Sequence, residues 1–281
     1  DCPVYASVRY NAGSQAGALV SKGDASLGTH FRTGMMTTGS QTDENVAQYG
    51  TNSHNLNFIS VMATEDNTKI RIDLPHASPT VEIKGYNYTG NAIVKVLNKH
   101  QSMIIATDAR EQNNQGGNRF ALVGALVRSI DDSGTIVVED PTKPIVVNVG
   151  SASGTFAPSG GGHDHGVDQI VGLDRIGHEY IFVKGNGAGG ELETPLVVAA
   201  ENGTQIYINA DTTPIAQLDA GEYYVIPSQN YSGTNQGATM YVRTQDKNHP
   251  VFAYQGVGGS GDSEANQGMF FVPPISDEAN D

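Results

Sequence analysis

One hairpin is written twice in this sequence. Ser60-Val61-Met62-Ala63-Thr64-Glu65-Asp66-Asn67-Thr68-Lys69-Ile70-Arg71-Ile72-Asp73 lines up with Leu196-Val197-Val198-Ala199-Ala200-Glu201-Asn202-Gly203-Thr204-Gln205-Ile206-Tyr207-Ile208-Asn209. Each copy reads as an apolar strand, a tight acidic or Asn-containing turn, and a Thr that opens a second strand. The match extends outward. Leu27-Gly28-Thr29-His30-Phe31 pairs with Ile176-Gly177-His178-Glu179-Tyr180, and Val96 to Gln101 pairs with Gln217 to Glu222. A closing strand occurs three times, as Pro3 to Tyr10, Lys143 to Gly150 and His249 to Gly256.

Alternation of period two accompanies the repeat throughout, as in Val4 to Tyr10, Thr68 to Leu74, Thr204 to Asn209 and Thr239 to Arg243. These runs are rich in β-branched and aromatic residues, and Gly, Asn, Asp or Pro bounds them, as expected of half-buried strands. Two runs, Pro144 to Val147 and Leu196 to Ala200, are continuously apolar and suit strands covered on both faces. The best helical candidate, Asn118 to Ile130, is broken by Gly124 and carries β-branched residues, so it is not read as a helix. The expected fold is all-β: an internally duplicated β-sandwich-like or pseudo-two-fold β architecture. It would form one module over 1–281, with internal units 26–150 and 170–256, an N-terminal strand 3–10 and a linking loop 151–169.

Composition excludes several functions. A net charge of −14 over 281 residues disfavours nucleic acid and anionic lipid. No apolar run approaches the about 18 residues of a membrane helix. The 34 glycines cluster in breaks such as Ser159 to Gly162 and Gly256 to Gly261, which lack the helix and Lys-Ser/Thr pair of a phosphate loop. Cys2, the single cysteine, permits no internal disulfide. The chain opens on Asp1, which implies either a removed signal peptide or a fragment of a longer polypeptide. These features together suit a bacterial exported protein.

Lys143-Pro144-Ile145, Gly150, His163-Asp164-His165-Gly166-Val167-Asp168-Gln169-Ile170, Leu218-Asp219-Ala220-Gly221-Glu222-Tyr223 and Val272-Pro273-Pro274 together resemble the N-terminal domain of IgG-Fc-binding proteins. That family tends to show Lys-Pro-Ile, a Cys-Asp-His segment followed by an acid and Gln, and a closing Pro-Pro. Here His163 stands in place of the Cys, and Val171-Gly172 replaces a Pro-Pro after Gln169-Ile170. The resemblance spans roughly residues 26–276. It implies an extracellular, cell-surface module of a large bacterial adhesin or appendage, acting by binding and not by catalysis. Its partner would be a protein or glycan on a cell surface, or copies of the same chain.

Candidate sites follow from residue types. His163 and His165 share one face of a strand, a spacing Zn²⁺ can use, with Asp168 as a third group and His178 or Glu179 as further ligands. The family motif instead aligns Asp164, His165, Asp168 and Gln169, which reads as a polar network closing a loop. No cofactor is required. Calcium is the ion left open, at Asp43-Glu44-Asn45, Asp108 with Glu111, Glu191 with Glu193, and Asp262 with Glu264, although no spacing there supplies three ligands. Tyr49, Tyr86, Tyr88 and Tyr231 lie beside Asn/Gly loops and are the binding candidates, whereas Tyr5, Tyr207, Tyr241 and Tyr254 read as core or sheet-face residues. There is no nucleophile elbow, and no base or nucleophile is positioned. A carbohydrate-binding or calcium-dependent lectin-like module is the alternative to the adhesin, and a secreted hydrolase the weaker one.

Overall fold

In Thr68–Asp73 the side chains alternate between buried and half-buried, and in Thr204–Ile208 they do the same. Ile70, Ile72, Ile206 and Ile208 therefore point into cores while the intervening polar residues face out. The computed structural model describes residues 6–12, 15–39, 56–75, 83–84, 92–108, 121–134, 136–156, 164–185, 193–257 and 268–275. Over these residues the chain is all-β, with only short 3-10 turns besides strands. Among them no helix is long and apolar enough to cross a membrane.

The chain opens with a hairpin of β1 (Ser7–Ala12) and β2 (Gln15–Val20). A first sandwich follows. One of its sheets joins β3 (His30–Arg32), β10 (Leu126–Asp131), β6 (Thr68–Asp73) and β8 (Ala92–Leu97) in that order, with β11 (Val138–Glu139) also on β10. The other joins β9 (Ser102–Asp108), β5 (Leu56–Ala63), β12 (Ile145–Thr155) and β13 (Asp164–Gln169), with β4 (Thr38–Gly39) and β7 (Ile83–Lys84) as short additions. Phe31, Ile72 and Val127 of the first sheet meet Ile59, Val61, Ile105 and Val147 of the second in one apolar core.

A second sandwich follows with the same strand order. One sheet runs β14 (Glu179–Val183), β19 (Thr239–Thr244), β16 (Thr204–Ile208) and β17 (Ala216–Leu218). The other runs β18 (Tyr223–Val225), β15 (Pro195–Ala199), β20 (Val251–Val257) and β21 (Gly268–Phe271). The registers agree as well: Ala63 lies opposite Ile145 as Ala199 lies opposite Val251. At the two matching turns Thr68 and Thr204 each donate a hydroxyl to the Glu carbonyl three residues back, at 2.7 Å in both. The residues before them, Asn67 and Gly203, both have positive φ, the conformation a tight turn needs at that position.

The two sandwiches differ in how their second sheets are covered. Every residue of β15 is buried. Val197 and Ala199 face the second core, while Leu196, Val198, Phe252, Tyr254, Met269 and Phe271 pack into the first. The run Leu196 to Ala200 is thus covered on both faces. The other continuously apolar run, Pro144 to Val147, is not: Ile145 and Val147 are buried, but Pro144 and Val146 are only half-buried. Two further expectations change. The stretch 151–169 is not a plain linking loop, because β12 extends to Thr155 and β13 begins at Asp164. The N-terminal strand is one arm of a hairpin. Asn118 to Ile130, set aside as a helix, contributes the strand β10.

Candidate functional site

The parity that buries Ile206, Ile208, Met240 and Val242 sends Tyr207, Tyr241 and Arg243 to the outer face of the β14–β19–β16–β17 sheet. On β14 the same rule buries Tyr180 and Phe182 and leaves Ile181 and Val183 about half exposed, at 48% and 51%. Cross-strand register sets Ile181 opposite Tyr241, Glu179 opposite Arg243 and Tyr207 opposite Arg243. The guanidinium of Arg243 lies 4.3 Å above the Tyr207 ring centroid and donates to the Asp211 carbonyl at 3.1 Å. A cation stacked this way costs little additional entropy to present to a partner. Tyr241 donates its hydroxyl to the Glu179 carboxylate, and Tyr207 donates to Gln205 Oε1 at 2.6 Å.

The corresponding face of the first sandwich is built differently. There Arg71 and Arg128 both hold Asp73, at 2.7 and 3.0 Å, and Lys69 pairs with Asp132. That face pairs these charges with one another, and the apolar groups exposed beside them, Val94 and Val96 of β8, have no tyrosine among them. The β14 face combines branched apolar groups with Tyr and Arg, the residue types enriched where proteins meet. It is the candidate contact surface.

Burial, together with the hydrogen bond to Glu179, pushes the Tyr241 phenol up to about 12. A raised phenol keeps its contribution fully below the ordinary tyrosine pKa of about 10 and loses it as pH rises through 12. Alkaline titration followed by ultraviolet absorbance should therefore show one fewer tyrosine ionising near pH 12 in Tyr241→Phe. Loss of a tyrosine that ionises near the ordinary value of about 10 instead would place Tyr241 outside this contact.

The residues singled out from sequence lie elsewhere. Tyr231 is 6% exposed, and its hydroxyl donates to the Glu193 carbonyl at 2.8 Å and accepts from Gln255 Nε2 at 3.0 Å. It closes the second core and presents no contact surface; its Asn and Ser neighbours give a loop-like sequence to a chain segment that turns inward. Tyr49, Tyr86, Tyr88 and His163 lie outside the described residues, as do Asp43, Glu44, Asn45, Glu111, Glu191, Asp262 and Glu264. Glu193 is buried, 3.7 Å from Lys184 Nζ. Asp108 ends β9.

Asp168 and His165 sit three residues apart on β13, which sends their side chains to opposite faces. The His165 ring packs 6.1 Å from that of Phe58. The Asp168 carboxylate is taken up by three donors: Lys22 Nζ at 2.8 Å, the Gln169 amide at 2.8 Å and the Phe271 amide at 2.7 Å. Lys22 also donates its amide to Gln169 Oε1 at 2.6 Å and its ammonium to the Gln169 carbonyl. Asp168 thus ties the segment after the N-terminal hairpin to both β13 and β21. His178 and Glu179 lie at the start of β14, and Glu179 belongs to the contact face described above. Among the described residues, no three His, Cys, Asp or Glu side chains are grouped to hold a metal ion.

Compared with protein families, the chain matches the family described as IgGFc binding protein over residues 16–280. No curated protein and no solved structure matches the chain.

Proposed function

The chain belongs to the IgGFc binding protein family, and from that premise we propose that it is a non-catalytic, extracellular module of a bacterial adhesin or surface appendage. It binds a protein on a cell surface. The observation that carries this reading is the outer face of the β14 sheet, where Ile181 and Val183 stand exposed beside Tyr241, Tyr207 and Arg243. The equivalent face of the first sandwich neutralises itself with ion pairs. Two sandwiches with shared strand order support a rigid scaffold that arose by duplication of one unit and presents this face.

Labelled chain applied to intact cells, and to beads coated with IgG Fc, tests the reading. Binding to cells should be lost when they are treated with protease and kept after glycosidase treatment. The double variant Ile181→Asp/Val183→Asp should weaken binding about tenfold or more, since apolar anchors carry most interface energy. Its melting temperature should stay close to that of the unaltered chain, because both side chains are about half exposed. Binding abolished by glycosidase or by EDTA would favour a carbohydrate-binding or calcium-dependent lectin-like module instead.

A further inference from the structure

The N-terminal hairpin repeats the hairpins that close the two sandwiches. Ser7 lies opposite Val20 as Asn148 lies opposite Gln169 and Tyr254 opposite Phe271. At the end of each hairpin the chain makes the same backbone bond: Ser21 N–H to the Ala6 carbonyl at 3.0 Å, Ile170 to Val147 at 3.0 Å, and Val272 to Ala253 at 2.9 Å. A 3-10 turn and a Gly follow the first two, and Gly28 and Gly177 bridge Ile145 and Val251. Even the outward packing recurs, since β2 lies against β13 and β13 against β21. β1 therefore corresponds strand for strand to β12 and β20.

One element is missing from the first copy. β12 and β20 each have a second antiparallel neighbour, β5 and β15, on the edge away from their hairpin partner. Among the described residues β1 pairs only with β2. Ala6 to Arg9 are exposed, with Val8 at 55%. An edge of unpaired amides and carbonyls is a template for strand addition.

We propose that the open edge of β1 accepts an antiparallel strand of the β5/β15 type from another sandwich unit. The occupant is an alternating or continuous apolar strand ending in small residues, as Leu196 to Ala200 does. The β20–β15 register fixes its position. Tyr254 lies opposite Leu196 and Ala253 opposite Val197, so Ser7, the equivalent of Tyr254, lies opposite the Leu196 position of the incoming strand, and Ala6 lies opposite the Val197 position. This inference rests on the hairpin geometry and is independent of the β14 contact face.

The test uses the full chain carrying Cys2→Ser and Ser7→Cys, with peptides of residues 194–201. One peptide carries Leu196→Cys and the other Val197→Cys. Residues directly opposite on paired strands have Cβ atoms within disulfide reach, while a one-residue shift turns the thiol to the other face, so the Leu196→Cys peptide should cross-link about tenfold faster. The same peptide without cysteine should slow amide exchange in Ser7–Ala12. Equal cross-linking rates for the two peptides, or exchange unaffected by the peptide, would overturn the proposal. So would Ser7→Cys chains that link to one another equally fast with and without peptide, because β1 would then be pairing with β1 of a second copy.

Discussion

Tyr254→Ala should lower the unfolding free energy by about 3–5 kcal/mol, as large aromatic truncations in a closed core do. The ring is fully buried on the face of the β15–β20 sheet that packs into the first sandwich, edge-on to Phe271 with centroids 5.4 Å apart. Its Cε2 occupies the space above Gly34, where a Cβ would sit 2.3 Å away. Its hydroxyl donates to the Arg32 carbonyl at 2.9 Å. Tyr254 thus joins the two sandwiches by shape and by one hydrogen bond. Tyr254→Phe keeps the shape and should cost only about 1 kcal/mol. Gly34→Ala attacks the same contact from the other side, so its loss combined with Tyr254→Ala should be much smaller than the sum of the two. Urea unfolding of the three single variants and the double variant measures this. Additive losses would mean that Gly34 and Tyr254 stabilise the chain separately.

That contact shows where the sequence was readable and where it was not. Alternation sets which side of each strand faces a core, so Ile70, Ile72, Ile206 and Ile208 were legible as inward residues. Applied strictly, the same parity also puts Tyr207 and Tyr241 outside, although aromatic residues in strands suggest a core. Alternation does not say what covers the far side of a sheet. Pro144 to Val147 and Leu196 to Ala200 are similar apolar runs, yet only the second is buried on both faces, because the first sandwich lies against it. That outcome depends on residues far away in sequence, such as Gly34 and Arg32. The stretch 151–169 hid its strands for another reason. Ser151, Ala152, Ser153 and Gly154 have no large apolar side chains to mark a period, and β13 is largely polar because Asp168 and Gln169 serve a hydrogen-bonded clasp. Tyr231 was misleading because its immediate neighbours are loop-like while its ring belongs to the core.

The clasp at Asp168 supports the second large effect. Asp168→Ala should cost about 2–4 kcal/mol, because it strands the buried Phe271 and Gln169 amides and leaves Lys22 without its counter-ion. The Lys22 side chain is 24% exposed and can partly rehydrate, which keeps the loss below that of a sealed ion pair. Asp168→Asn retains one acceptor oxygen and should lose about half as much. Lys22→Ala should lose less still, since the carboxylate keeps both amide donors. A metal site at the same residue predicts a different order. A bound cation would make EDTA lower the melting temperature of the unaltered chain by as much as Asp168→Ala does, and Lys22→Ala would then have little effect. A clasp gives a melting temperature indifferent to EDTA and a graded loss from Lys22→Ala through Asp168→Asn to Asp168→Ala. The three donors within 2.8 Å of the carboxylate favour the graded series.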